Sequence, residues 1–173
     1  MSKKIRLGIL GGGGNSLIGV LHRIAANMFD KYEIVGGVFN PNFDENITFA
    51  KTIGLNSSRV YKDYETLISE ECKLDSSERM QAISVLTPNF LHYPMAKQLL
   101  ENDFHVICEK PLTISYQEAL DLKRIKEEKN AVFGVTHTYT GYPMVRQMTK
   151  MISDGIIGKI QKVDAQYLQG WLN

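Results

Sequence analysis

Four consecutive glycines, Gly11, Gly12, Gly13 and Gly14, constrain this chain more than any other feature. They follow the apolar run Ile5-Arg6-Leu7-Gly8-Ile9-Leu10 and precede Asn15, Ser16 and a stripe at Leu17, Leu21, Ile24 and Met28. An apolar run, a glycine turn and a stripe at helical spacing propose strand, tight loop and helix. Six of the fourteen glycines fall within the first nineteen residues, so the enrichment belongs to this turn and is not a general bias. A loop without side chains lets a ligand come close to the backbone, and the first turn of the helix behind it offers unpaired N–H groups. Together they suit a pyrophosphate. The match to the dinucleotide fingerprint G-x-G-x-x-G is imperfect, because Gly11-x-Gly13 is followed by Ser16 in the third position.

The remaining chain alternates between apolar runs and helical stripes. Residues 33–39 read as a second strand, closed by the turn residues Asn40-Pro41-Asn42. A helix over 44–51, a short third strand Arg59-Val60-Tyr61 and a helix over 65–73 come next. Residues 82–86, nearly all apolar, suit a central parallel strand buried on both faces, and Thr87-Pro88-Asn89 ends it. Leu91, Met95 and Leu99 then recur on one helical face. A fifth strand over 105–108 leads into Glu109-Lys110-Pro111, and Ser115 with Glu118 forms a capping box for the next helix. A sixth strand over 131–136 ends at His137; a helix follows Pro143, and residues 159–167 alternate well enough for one more strand.

Six strands alternating with helices specify an α/β fold, a Rossmann-type doubly wound parallel sheet in the order 3-2-1-4-5-6. The expected dinucleotide-binding domain covers residues 1–138. Residues 139–173 read as a linker helix and the first strand of a truncated α+β C-terminal domain. In such sheets ligands sit beyond the carboxyl ends of the strands. The unusual residues converge there: the glycines, Asn40, Thr87-Pro88-Asn89, Glu109-Lys110-Pro111 and His137.

Composition narrows the function. A net charge of +1 with acidic and basic residues interspersed gives no basic face for nucleic acid and no polybasic run for an anionic membrane. No stretch approaches the roughly 20 apolar residues of a membrane span. Cys72 and Cys108 stand far apart in different elements; they propose neither a disulfide nor a zinc site and suit a reducing cytoplasm. No His or Cys pair has metal-ligand spacing, and no G-x-x-x-x-G-K-[ST] marks a P-loop hydrolase. In NAD-binding domains an acidic residue at the second strand's tip accepts bonds from the ribose, whereas NADP sites supply an arginine. Here Asn40 is neither, so NAD and NADP both stay open, with no adjacent arginine to argue against NAD. Asp44 and Glu45 read as first-turn residues of the next helix.

On these motifs the chain resembles the glucose-fructose oxidoreductase and myo-inositol dehydrogenase family, Gfo/Idh/MocA. The resemblance rests on Gly8-Ile9-Leu10-Gly11-Gly12-Gly13 with His22-Arg23, and on Thr87-Pro88-Asn89-x-x-His92. It continues through Cys108-Glu109-Lys110-Pro111-Leu112 and Thr136-His137 to Gly141-Tyr142-Pro143-Met144-Val145-Arg146. It implies an N-terminal nicotinamide-binding domain, a C-terminal open-sheet domain that covers the cofactor and often forms a homo-oligomer, and oxidation or reduction of a hydroxyl or carbonyl on a sugar or polyol. Two departures stand out: family members are about twice this long, and their Asp-x-x-x-His motif has no counterpart here.

Carried onto this sequence, the resemblance places Lys110 beside the nicotinamide, to exchange the alcohol proton or polarise the substrate oxygen, and suggests a cis bond before Pro111. His137 is the second catalytic candidate, facing the substrate side. Cofactor-binding candidates are Gly11, Gly12, Gly13, Gly14, Asn15, Ser16, Asn40, Thr87, Pro88, Asn89, His92, Glu109 and Lys110. Asn89 reads equally as a helix cap, and His92 as a structural helix residue, while His22 and His105 read as structural alone. Tyr139, Tyr142 and Arg146 are candidates for the substrate pocket. A non-catalytic dinucleotide sensor is the competing class of function.

Overall fold

The computed structural model describes residues 3–168 and Gly170. They form two compact units, one ending at Thr136 and the other beginning at His137. The first holds strands β1 (Ile5–Gly11), β2 (Tyr32–Val38), β3 (Ala82–Leu86), β4 (His105–Glu109) and β5 (Phe133–Thr136). Between them run helices α1 (Leu17–Met28), α2 (Phe43–Thr52), α3 (Tyr64–Glu71), α4 (His92–Glu101) and α5 (Tyr116–Glu128). All strand pairs are parallel and the order is β2-β1-β3-β4-β5. The chain moves from β1 to one side for β2, then crosses back for β3, so the direction of winding reverses beside β1.

Burial on both faces explains the apolar central strands. On one face Leu10, Ile83, Val85, Val106 and Cys108 pack with Met95, Leu99 and Leu100 of α4 and with Leu122 and Ile125 of α5. On the other, Leu7 packs with Ala26 of α1, and Ile9 with Phe39 and Ala50 of α2. Glu71 is fully buried despite its charge. It accepts from Arg59 Nε at 2.9 Å, from the Tyr61 hydroxyl at 2.6 Å and from the Met80 amide at 2.8 Å. A buried carboxylate persists only with its charge and lone pairs answered in this way.

Two expectations are corrected. The sheet has five strands, because the proposed third strand is reduced to a bridge between Val60 and Gly37, with Ser57–Arg59 in a 3-10 turn. Tyr61 N–H still donates to the Gly37 carbonyl at 3.0 Å, so the segment keeps its place beside β2 without its length. Residues 159–167 form no strand: alternation alone cannot make one, and no pairing partner exists among the described residues. The stripe Leu17, Leu21, Ile24 and Met28 does not face the sheet and is 49–69% exposed. Gly19 and Ala26 are buried instead, because a helix that must lie against a glycine loop and a strand presents its smallest residues to them.

In the second unit, α6 (Pro143–Ser153) opens with Pro143 in its first turn. The Tyr139 ring meets the Tyr142 ring edge-on at 5.5 Å, and its hydroxyl lies 2.7 Å from that of Tyr167.

Candidate functional site

The glycine loop is shaped by close approach. Gly12 has φ +69°, and a Cβ there would lie 2.9 Å from Gly19 Cα; a Cβ on Gly13 would come 2.5 Å from the Phe39 carbonyl oxygen. The loop therefore sits against both the start of α1 and the tip of β2. Gly13 N–H donates to the Phe39 carbonyl at 3.2 Å, and Arg23 Nη1 donates to the Gly12 carbonyl at 2.8 Å. Ser16 is the N-cap of α1: its Oγ accepts from Gly19 N at 3.1 Å. The amides of Leu17 and Ile18 have no partner among the described residues, and Gly14 and Asn15 beside them are exposed. Free amides at the positive end of a helix, reached over a loop without side chains, fit an anionic diphosphate.

Beside the loop lies a cavity of about 540 Å³. Gly11, Gly12 and Gly13 form its floor, Asn40 and Pro41 the edge at β2, Thr87 and Pro88 the edge at β3, and Leu10, Val38, Leu86, Leu91 and Met95 its apolar walls. It occupies the carboxyl edge of the sheet where the winding reverses, the place at which doubly wound sheets bind ligands. An apolar cleft with a few backbone and amide groups at its rim suits a nucleoside. A cavity of about 610 Å³ at Arg6 and Arg59 is different in kind, because those arginines are already engaged. Arg6 donates to the Arg79 and Ser76 carbonyls, and Arg59 to Glu71.

At the tip of β2, Asn46 of α2 is fully buried and does what no sequence signal announced. Its Oδ1 accepts from Phe39 N at 2.8 Å and its Nδ2 donates to the Tyr61 carbonyl at 2.7 Å, which fixes the strand end that carries Asn40. An asparagine among Ile47, Phe49 and Ala50 was the available clue. At the tip of β3, His92 is 1% exposed, with Nδ1 2.7 Å from the Pro111 carbonyl and Nε2 2.8 Å from the Thr87 carbonyl. It ties the turn after β3 to the turn after β4 and does not line the cavity. Asn89 begins a 3-10 turn (Asn89–Leu91) and makes no side-chain cap bond, so its reading as a helix cap does not hold. The position before α4 belongs to Leu91.

At the end of β4, Glu109 is buried. Its Oε1 lies 3.0 Å from His22 Nε2, and its Oε2 accepts from Lys110 N at 3.2 Å. His22, read from sequence as merely structural, thus orients the acid that precedes Lys110. The bond between Lys110 and Pro111 is cis, and the Lys110 side chain is exposed. Since β1, β3 and β4 are parallel neighbours, Lys110 leaves the sheet at the same edge as the glycine loop. His137 lies in the second unit, where its carbonyl accepts from Thr140 N at 3.0 Å. No group of three or more potential ligands that could hold a metal ion occurs among the described residues, and no described helix is long and apolar enough to cross a membrane.

Known proteins are similar to this chain in sequence and fold. A family model described as an oxidoreductase family with an NAD-binding Rossmann fold matches residues 5–137. An uncharacterized oxidoreductase of Bacillus subtilis, YfiI, is 36% identical over 99% of this chain and 43% of its own length. A glucose-6-phosphate 3-dehydrogenase of the same organism is 31% identical over 94% of this chain and 42% of its own. The crystal structure of an inositol dehydrogenase homolog from Azotobacter vinelandii, complexed with NADH and myo-inositol, aligns with a TM-score of 0.88. It is 37% identical over 92% of this chain and 41% of its own. The chain therefore spans about two fifths of the length of these relatives.

Proposed function

We propose, because this chain belongs to the Gfo/Idh/MocA family of oxidoreductases, that it is the cofactor-binding half of a nicotinamide-dependent dehydrogenase. The whole protein would act on a hydroxyl or carbonyl of a sugar, polyol or related compound, as the names of the glucose-6-phosphate and inositol relatives suggest. The observation that carries this reading is the cavity at the winding reversal, floored by the glycine loop and sharing its sheet edge with Lys110.

When bound, the nicotinamide supplies the acceptor or donor of a hydride. The chain's own residues bind and orient. The exposed loop at Gly14 and Asn15 and the first amides of α1 receive the pyrophosphate, and Thr87, Pro88 and Asn89 flank its path. Asn40 meets the ribose. His92 and Glu109 act indirectly, by holding the turns that present Thr87 and Lys110. Oxidation of an alcohol breaks its C–H bond with transfer of the hydride and releases the hydroxyl proton. Lys110 accepts that proton or polarises the oxygen, with His137 as the second candidate. The full-length protein assembles as a homo-oligomer, and the two free thiols of this chain suit a reducing cytoplasm.

The test is a screen of the full-length protein against a panel of sugars and polyols, read by nicotinamide absorbance, with Lys110→Ala alongside. Turnover should fall by about 10²- to 10⁴-fold in the variant while NADH binding is kept. A folded protein that binds none of NAD⁺, NADH, NADP⁺ or NADPH refutes the reading. Tight binding with no turnover on any substrate would instead support a dinucleotide sensor.

A further inference from the structure

The tip of β2 carries a neutral amide where a carboxylate would meet the adenosine ribose of NAD, so cofactor choice depends on what surrounds Asn40. Asn40 Nδ2 donates to Glu45 Oε2 at 2.8 Å, and Asn40 Oδ1 accepts from Asn42 N at 2.8 Å. The amide is thus held by a carboxylate from the first turn of α2. Glu45 is exposed, and its other oxygen has no partner among the described residues. The negative charge missing from the strand tip is supplied by its neighbour.

The same corner has little to offer a 2′-phosphate. The amides of Asp44 and Glu45, which could receive an anion at the start of a helix, are both taken by Asn42 Oδ1, at 3.0 and 3.2 Å. Lys62, the cation on the cavity wall, stands 3.6 Å from the Asp63 carboxylate, which offsets its charge. Asp44 adds a second negative charge to the turn. A ribose 2′-hydroxyl can donate to a free carboxylate oxygen, whereas a phosphate monoester carrying about −1.5 to −2 charges is repelled by it.

We infer that Glu45, acting with the amide it holds, is the residue that makes this site select NAD(H) over NADP(H). The inference rests on the nucleotide-binding reading above. Repulsion between a carboxylate and a phosphate a few ångströms apart at a protein surface exceeds one factor of ten in affinity, so wild type should prefer NADH by roughly tenfold or more at low salt. Added salt should narrow that gap.

The experiment is calorimetric titration of the full chain with NADH and with NADPH, for wild type, Glu45→Gln and Glu45→Arg. Glu45→Gln, which removes the charge and leaves one accepting oxygen where the carboxylate has two, should weaken NADH binding and strengthen NADPH binding, bringing the two affinities to within about threefold. Glu45→Arg should reverse the order. Equal affinities in wild type, or a ratio that neither substitution moves, overturns the inference while nucleotide binding itself stands. Wild type that is folded by circular dichroism yet binds neither nucleotide brings down the nucleotide-binding reading, and this inference with it.

Discussion

Replacing His92 with phenylalanine should loosen the site from within, without touching its walls. The imidazole is buried between two carbonyl oxygens, Thr87 O at 2.8 Å and Pro111 O at 2.7 Å, which belong to turns on neighbouring strands. In either neutral tautomer the imidazole has one ring N–H and so donates to one of the two carbonyls. Phenylalanine fills a similar volume but offers no polar atom, so that bond is lost at a cost of about 1–3 kcal/mol. For a chain of this size 1 kcal/mol moves the melting temperature by roughly 2–4 °C, so a fall of about 2–12 °C is expected. His92→Gln, whose amide N–H can still reach a carbonyl, should lose less. The assay is thermal and urea unfolding followed by circular dichroism, with NADH titration of the folded variants. Affinity should weaken in the same order as stability, because Thr87 lines the cavity and Lys110 precedes Pro111. A His92→Phe variant that melts within about 2 °C of wild type would refute the reasoning, since at least one lost bond must register at that level.

Four further outcomes are expected. Glu71→Gln leaves the partly exposed Arg59 without its charged partner and should destabilise by about 1–3 kcal/mol in urea unfolding. Gly13→Ala places a Cβ 2.5 Å from the Phe39 carbonyl oxygen, so the variant should lose nucleotide affinity by calorimetry and also melt earlier than wild type. Burial, and then the neighbouring Glu109 charge, push the Cys108 thiol up to about 12 from an ordinary 9.0. The folded chain therefore holds that proton more tightly than the unfolded one. The resulting stability is complete below about pH 9 and is lost as the pH rises towards 12, so Cys108→Ala should flatten the alkaline fall in urea midpoint. In the same protein, a thiol reagent at neutral pH should modify Cys72 rapidly and Cys108 only after denaturation.

What the sequence determined alone was everything written in local chemistry. The glycine turn, the nearly all-apolar strand Ala82–Leu86, the Ser115 cap and the helical spacing of Met95 and Leu99 each follow from the conformations and burial those residues permit. A parallel sheet with its unusual residues on one edge was legible for the same reason. Only the tertiary structure decided which face of α1 lies inside, because a helix with apolar residues on more than one side packs by its smallest face when a loop and a strand must come close. It also decided the length of the segment at Val60, since a strand exists by pairing and not by pattern. The partners of His22, Asn46 and His92 lay beyond reach for a further reason. A hydrogen bond such as that between His22 and Glu109, 87 positions apart, depends on where the sheet places two distant turns, and no spacing along the chain records it.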